Sequence, residues 1–369
     1  MHPQCLEWRK RGKQVLAGGP ATLSKHWSRY PSPCTPSVLV RGQGASVWCA
    51  DGIEYLDMVA GLGPILLGHN DSRVSAAVNA QIDQMTCSTL STPLETEVAE
   101  LLCAVVPGAE QVRFASNGAD VTNAAIKLAR HVTGKKHVVF CGYAGGHDSY
   151  LSTTEKRGGV LENLRDYNHQ VPWRDFAALE AVLDQMADGL EPRDLAAIIL
   201  EVPPEALAMP FTDTAATLQR YKASALGFGA LFILDEVVTG WRMGVGGAQT
   251  YYGVQADLCT FSKAMGNGYP IAAITGPWDL MTAFEGGQCF LSTTFGASPI
   301  GLAAAKATIG SLVDDVTLLH QLWDYGQIAF LSTHDRITAR GLPMTLRGNG
   351  SRWVLDFHDT EAASADAWR

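Results

Sequence analysis

Two residues that are costly to keep stand 28 positions apart, Asp235 and Lys263. Asp235 directly follows the apolar run Leu231-Phe232-Ile233-Leu234. A carboxylate at the end of a buried strand is expensive unless it meets a cation or several donors. Taken alone, it reads as an N-cap or a buried salt bridge. Lys263 lies in Thr260-Phe261-Ser262-Lys263-Ala264-Met265-Gly266-Asn267-Gly268, again just after an apolar stretch. A lysine held in an apolar site has a depressed pKa and can serve as a nucleophilic amine or a proton shuttle. A lone lysine more often snorkels at the surface. Upstream, the turn Ser116-Asn117-Gly118-Ala119-Asp120 precedes a helical pattern. Free N–H groups and the positive end of the helix dipole make a phosphate seat there, although capping by Asn117 or Asp120 gives the same pattern. The loop Gly142-Tyr143-Ala144-Gly145-Gly146-His147-Asp148 offers an aromatic ring that can stack on a flat ligand. Tyr143 could equally pack on a sheet edge, and His147 could be a loop histidine without a role.

The four features together are the parts needed to hold pyridoxal phosphate. An Asp pairs with the pyridinium nitrogen and a Lys forms the Schiff base. A helix N-terminus takes the phosphate, and an aromatic covers the ring.

The surrounding pattern is strand, glycine turn, helix. Apolar runs occur at Val138–Cys141, Ala196–Leu200, Leu231–Leu234, Leu258–Phe261 and Ala272–Thr275, and the mainly apolar Val112–Ala115 joins the set. Short runs without alternation read as strands buried on both faces, and intervening helices make such a sheet mainly parallel. In open α/β sheets, ligands sit beyond the carboxyl ends of the strands, where several of the candidate residues fall. Val121, Ala124, Ala125 and Leu128 mark the apolar face of a helix from about Asp120 to His131. A second helix is expected from Asp71 to Leu90, with Val74, Ala77, Val78 and Ile82 on one face. Ser46–Cys49 and Ile53–Leu56 flank Asp51-Gly52, a favoured dipeptide for a tight hairpin turn. The first part, to about Gly42, is rich in Pro and polar residues, with Pro31, Pro33 and Pro36 close together, and reads as an arm.

The chain has 369 residues, enough for one large and one small domain. With 47% hydrophobic and 18% charged residues, the composition is globular rather than disordered. The net charge of −9 argues against a nucleic-acid partner. No apolar run reaches membrane-spanning length. Arg9, Lys10, Arg11 and Lys13 are followed by no apolar segment of a secretory signal. Eight cysteines, at 5, 34, 49, 87, 103, 141, 259 and 289, show no CxxC, HExxH or Cys-to-His metal spacing. They read as reduced, mostly buried thiols of a cytoplasmic protein, and no metal site is expected.

The sequence resembles the class III aminotransferases, the fold-type I pyridoxal-phosphate enzymes, and within them the glutamate-1-semialdehyde aminomutase branch. The segment from Leu231 to Arg242, followed by Ala256 to Lys263, is similar to the family signature LDEVxTGFR … PDxxxxxK. Arg113 to Arg130, Phe140 to Asp148, Gly61 to His69 and Ser292 to Pro299 also align, and coverage runs from about Gly18 to Leu312.

The resemblance implies a mainly parallel seven-stranded-type sheet flanked by helices, plus a small α+β domain from both chain ends. The expected division is an N-terminal arm and hairpin over 1–60, a large cofactor domain over 61–310, and an incomplete C-terminal small domain over 311–369. Lys263 would be the Schiff-base lysine and Asp235 the pyridinium partner. Val237 would pack on the ring face opposite Tyr143. Asn117, Gly118 and Ala119 would form the phosphate seat, and Glu201 would lie near the cofactor's phenolic oxygen. Thr294 would reach the phosphate of a neighbouring subunit, which implies a homodimer with shared sites. The substrates implied are small amino and carbonyl compounds. Ala119 stands where the family usually has Ser or Thr, Ala144 where it has His, and Val202 where it has Pro. Lys25 falls roughly where the aminomutases place a substrate-carboxylate Arg, but the local match is poor and it is not counted as a site residue. The family continues for several dozen residues beyond the segment that ends here at Arg369. Amino-group transfer is the leading expectation. Intramolecular transfer of the aminomutase kind and a catalytically silent homologue are the alternatives.

Overall fold

The computed structural model describes residues 2–29, 35–187 and 194–358. Pro31, Pro33, Cys34 and the segment 359–369 lie outside the described residues.

The N-terminal segment is not simply an extended arm. Helix α1 (Pro3–Val15) occupies its start, with Pro3 in the first turn, where a missing N–H costs nothing. Its only buried residue is Cys5, so the apolar periodicity that would announce it is absent. Strands β1 (Leu39–Gln43), β2 (Ser46–Cys49) and β3 (Glu54–Leu56) form an antiparallel sheet. The expected Asp51-Gly52 turn joins β2 to β3, with Gly52 at φ +77°, a conformation that suits glycine.

Helix α2 (Ser72–Gln84) is capped by Asp71, whose carboxylate accepts from the backbone N–H of Arg73 and Val74. It stops short of Leu90 because Met85 turns to extended backbone. Val74 and Val78 are buried, whereas Ile82 is 47% exposed. The apolar face therefore ends earlier than its spacing suggests. Helix α3 (Pro93–Val105) follows.

Seven strands build the central sheet. They are β4 (Gln111–Ala115), β5 (His137–Cys141), β6 (Asn168–Gln170), β7 (Leu195–Glu201), β8 (Leu231–Asp235), β9 (Leu258–Phe261) and β10 (Ala272–Gly276), in the order β4-β10-β9-β8-β7-β5-β6. The sheet is mainly parallel, as expected, and β10 alone runs against its neighbours.

Alternate strand residues feed two cores, as the period of two requires. Val138, Ile199, Ile233 and Ile274 join Val121, Ala125 and Leu128 of helix α4 (Gly118–Thr133) on one face. Val139, Ile198 and Phe232 face the opposite layer. There they meet Leu179 of α5 (Phe176–Ala187), Leu218 of α6 (Phe211–Gly227) and Ile309 of α7 (Pro299–Asp314). Burial of each such side chain contributes about 1.5–3 kcal/mol. Helix α8 (Thr317–Ala339) leads to an antiparallel hairpin of β11 (Met344–Asn349) and β12 (Arg352–Phe357).

Candidate active site

The carboxyl ends of β4, β7, β8 and β9 open onto one cavity of about 650 Å³. Asn117, Gly118, Ala119, Tyr143, Glu201, Asp235, Val237 and Lys263 all line it. Because β10 is reversed, its amino end faces the same way, and Gly268, Tyr269 and Pro270 complete the wall. Thr294 is exposed and does not line the cavity of its own chain.

Asp235 ends β8 and is buried. Its Oδ1 accepts from the Val237 N–H at 2.9 Å and from the Thr260 hydroxyl at 3.2 Å. Both bonds fall on the same oxygen, so Oδ2 is left for a donor in the cavity. Burial, with the neighbouring Glu201 carboxylate, pushes its pKa up to about 7. A cationic ring nitrogen is the kind of partner that reverses such a change. Glu236, next in sequence, is used differently. Its carboxylate accepts from the N–H groups of Ala248 and Gln249, each at 2.9 Å, and from the Thr239 hydroxyl. It pins a loop and does not reach the cavity lining.

Lys263 follows β9 and is partly enclosed, and burial lowers its pKa from the ordinary lysine value. The opposing pull of Glu201 and Asp235 is smaller. Its backbone sits at φ +42°, a strained setting for a residue with a side chain. Asn267, four residues on, also takes left-handed backbone at φ +44°. Its Oδ1 accepts from the N–H groups of Leu66 and Leu67 at 2.8 and 2.9 Å. Its Nδ2 donates to Gly68 O at 3.1 Å. The turn that carries Lys263 is thus fastened to the Gly61–His69 segment.

The candidate phosphate seat is the first turn of α4. Asn117 caps it by accepting from the Asp120 N–H at 3.1 Å, so capping and an open seat coexist. The N–H groups of Gly118 and Ala119 precede the first intrahelical bonds and have no helical partner. Gly118 is required by space, because a Cβ there would lie 2.8 Å from Val237 Cγ1. Tyr143 is 56% exposed and stacks edge-on against Tyr150 with ring centroids 5.2 Å apart. His147 Nε2 lies 3.2 Å from Asp120 Oδ1, which ties the loop to the helix start.

The sequence reading missed what two arginines do here. Arg352, on β12, donates to Glu201 Oε1 at 2.8 Å and to Val202 O at 2.6 Å. Arg242 donates to Gly63 O at 2.7 Å, and burial pulls its pKa down to about 10. Arg242 stands in the matched signature, which gave it a position but no partner. Arg352 lies in a hairpin with no motif around it. Thr22 and Lys25 also reach the cavity lining.

A phosphate seat without side chains, an acid with one free oxygen, an amine and two flanking walls fit a phosphorylated pyridine carrying an aldehyde. A sheet of this order with an acid and an amine at its strand ends suits an enzyme that binds such a cofactor. The family description Aminotransferase class-III matches residues 29–368, and the chain belongs to that family. It is 35% identical over 326 residues to the glutamate-1-semialdehyde 2,1-aminomutase of Methanoculleus marisnigri, covering 85% of this chain and 76% of that protein. Among solved structures it is similar to an omega-transaminase from Sphaerobacter thermophilus. That match has a TM-score of 0.83 and 26% identity, and covers 98% of this chain and 84% of the other. The FumI protein of Sphingopyxis sp. MTA144, in its pyridoxal-phosphate internal aldimine form, gives a TM-score of 0.84 and 26% identity over 97% of this chain and 84% of its own.

Proposed function

We propose that this chain binds pyridoxal phosphate in the cavity and moves an amino group between an amino compound and a carbonyl compound. The observation that carries this reading is the convergence of Asp235 and Lys263, from separate strand ends, on one cavity. When bound, the cofactor supplies an electron-accepting ring that makes the proton on the substrate carbon beside the nitrogen acidic.

This chain's own residues supply the remainder. Asp235 holds a proton on the ring nitrogen. The Gly118 and Ala119 N–H groups bind the phosphate. Val237 and Tyr143 hold the ring between them. Lys263 Nζ takes and returns the proton at the substrate carbon, and its lowered pKa suits that exchange. Glu201, held by Arg352, lies beside Asp235 in the strand register. Lys25 offers a cation at the mouth for a substrate carboxylate.

Exposed Thr294 supports a homodimer in which it reaches the partner's phosphate. The free cysteines among the described residues support a cytoplasmic setting. No helix among the described residues is long and apolar enough to cross a membrane. Three separate sheets support the division at about residues 60 and 310.

Purified protein given pyridoxal phosphate is expected to develop a visible absorption band that Lys263→Ala lacks. A wild-type protein without the band would remove the reading. Intramolecular transfer is the second reading, favoured by the 35% identity to an aminomutase. Turnover of a single compound, with no separate donor and acceptor, would select it.

A further inference from the structure

Four side chains of metal-ligating types meet outside the cavity lining, where the start of α1 meets the β2–β3 turn. They are His2, Cys5, Cys49 and Asp51, and one ligand atom from each lies within 4.8 Å of all the others. His2 Nδ1 is 4.0 Å from Cys49 Sγ and 4.0 Å from Asp51 Oδ2. His2, Cys5 and Cys49 are buried, and Asp51 is mostly enclosed. The chain builds the cluster from two short pairs. His2 is the N-cap of α1 and Cys5 lies in its first turn. Cys49 ends β2, and Asp51 lies within the turn that follows. His2 and Cys49 are 47 residues apart, so no compact spacing advertises the group.

We propose that His2 Nδ1, Cys5 Sγ, Cys49 Sγ and one Asp51 oxygen bind a single zinc ion as a closed structural site that pins α1 to the hairpin. Two sulfurs, one imidazole and one carboxylate are a donor set that zinc takes in tetrahedral geometry. Zinc–ligand bonds of about 2.0–2.3 Å place ligand atoms roughly 3.5 Å apart, so the side chains need only a small inward movement. The outer contacts are already in place. His2 Nε2 faces Tyr55 Oη at 3.3 Å, the kind of second-nitrogen contact that orients a ligating imidazole. Asp51 accepts from the Gln4 N–H at 2.7 Å and the Cys5 N–H at 3.0 Å, which fixes the carboxylate. On binding, the two thiols release their protons to solvent and the imidazole coordinates as the neutral ring. Four protein ligands leave no open position, so the site serves structure rather than chemistry.

The test uses the full chain without added histidines, exchanged into chelator-free buffer, with elemental analysis for zinc, copper and iron. About one zinc per chain is expected. Cys5→Ser and Cys49→Ser are expected to lower zinc affinity at least about tenfold, and Cys87→Ser, at an exposed cysteine, to leave it unchanged. Cobalt substituted into the wild type is expected to show thiolate-to-metal charge transfer. That reading, with the milder His2→Gln variant, serves if the serine variants do not fold. Background zinc, zinc that persists in both serine variants, stoichiometric copper or iron instead, or an intact mass two hydrogens low from a Cys5–Cys49 disulfide would each overturn the proposal.

Discussion

Asp235 and Glu236 are adjacent carboxylates, both enclosed, and their surroundings give them opposite uses. Glu236 has three donors and is satisfied within the chain. Asp235 has a free oxygen and a pKa near 7, against an ordinary 3.8. In the ligand-free protein the folded state therefore holds its proton until about pH 7, whereas the unfolded chain releases it near pH 4. Folding stability from this group is complete below the unfolded value and is lost as the pH rises through the folded one. Asp235→Asn is expected to flatten that loss, which runs on the order of 1.4 kcal/mol for each pH unit between the two values, while lowering activity about a hundredfold or more. Urea denaturation of ligand-free protein at about pH 5 and about pH 8, with an activity assay, checks both. The Asp and the Lys were legible in the sequence because each interrupts the end of an apolar run. Arg352 was not, since its partner Glu201 lies 151 residues away and only the folded chain joins them.

At the scale of elements, β5 and β7 to β10 were readable because they are enclosed and carry unbroken apolar runs, whereas the short polar strand β6, Asn168–Gln170, has no such run and was missed. Helix α1 was missed as well, because a helix that buries one cysteine leaves no apolar stripe. The Asn267 clamp was equally silent, as a single polar residue in a glycine-rich turn has no periodicity. Asn267→Ala removes three hydrogen bonds and orphans the N–H groups of Leu66 and Leu67. A loss of about 2–4 kcal/mol is expected. Weaker retention of pyridoxal phosphate should accompany it, because the Lys263 turn loses its anchor. A urea midpoint and a cofactor titration measure the two effects.

At the scale of the whole molecule, eight of the nine expected site residues share one cavity and Thr294 stands outside it. Sedimentation equilibrium is expected to give about twice the 39.6 kDa of one chain. Thr294→Ala is expected to weaken cofactor binding about tenfold, the loss of one net hydrogen bond, without dissociating the dimer. A fully loaded monomer would contradict that arrangement.

The reversed strand β10 has a consequence for synthesis. β4, which leads into α4, pairs with no other strand of the sheet among the described residues. Until residues 272–276 have left the ribosome, β4 has no strand to pair with, and α4 is joined to the half bearing the amine by side-chain packing alone. A nascent chain halted before Ala272 would carry Asp235 and Lys263 with β4 still outside the sheet.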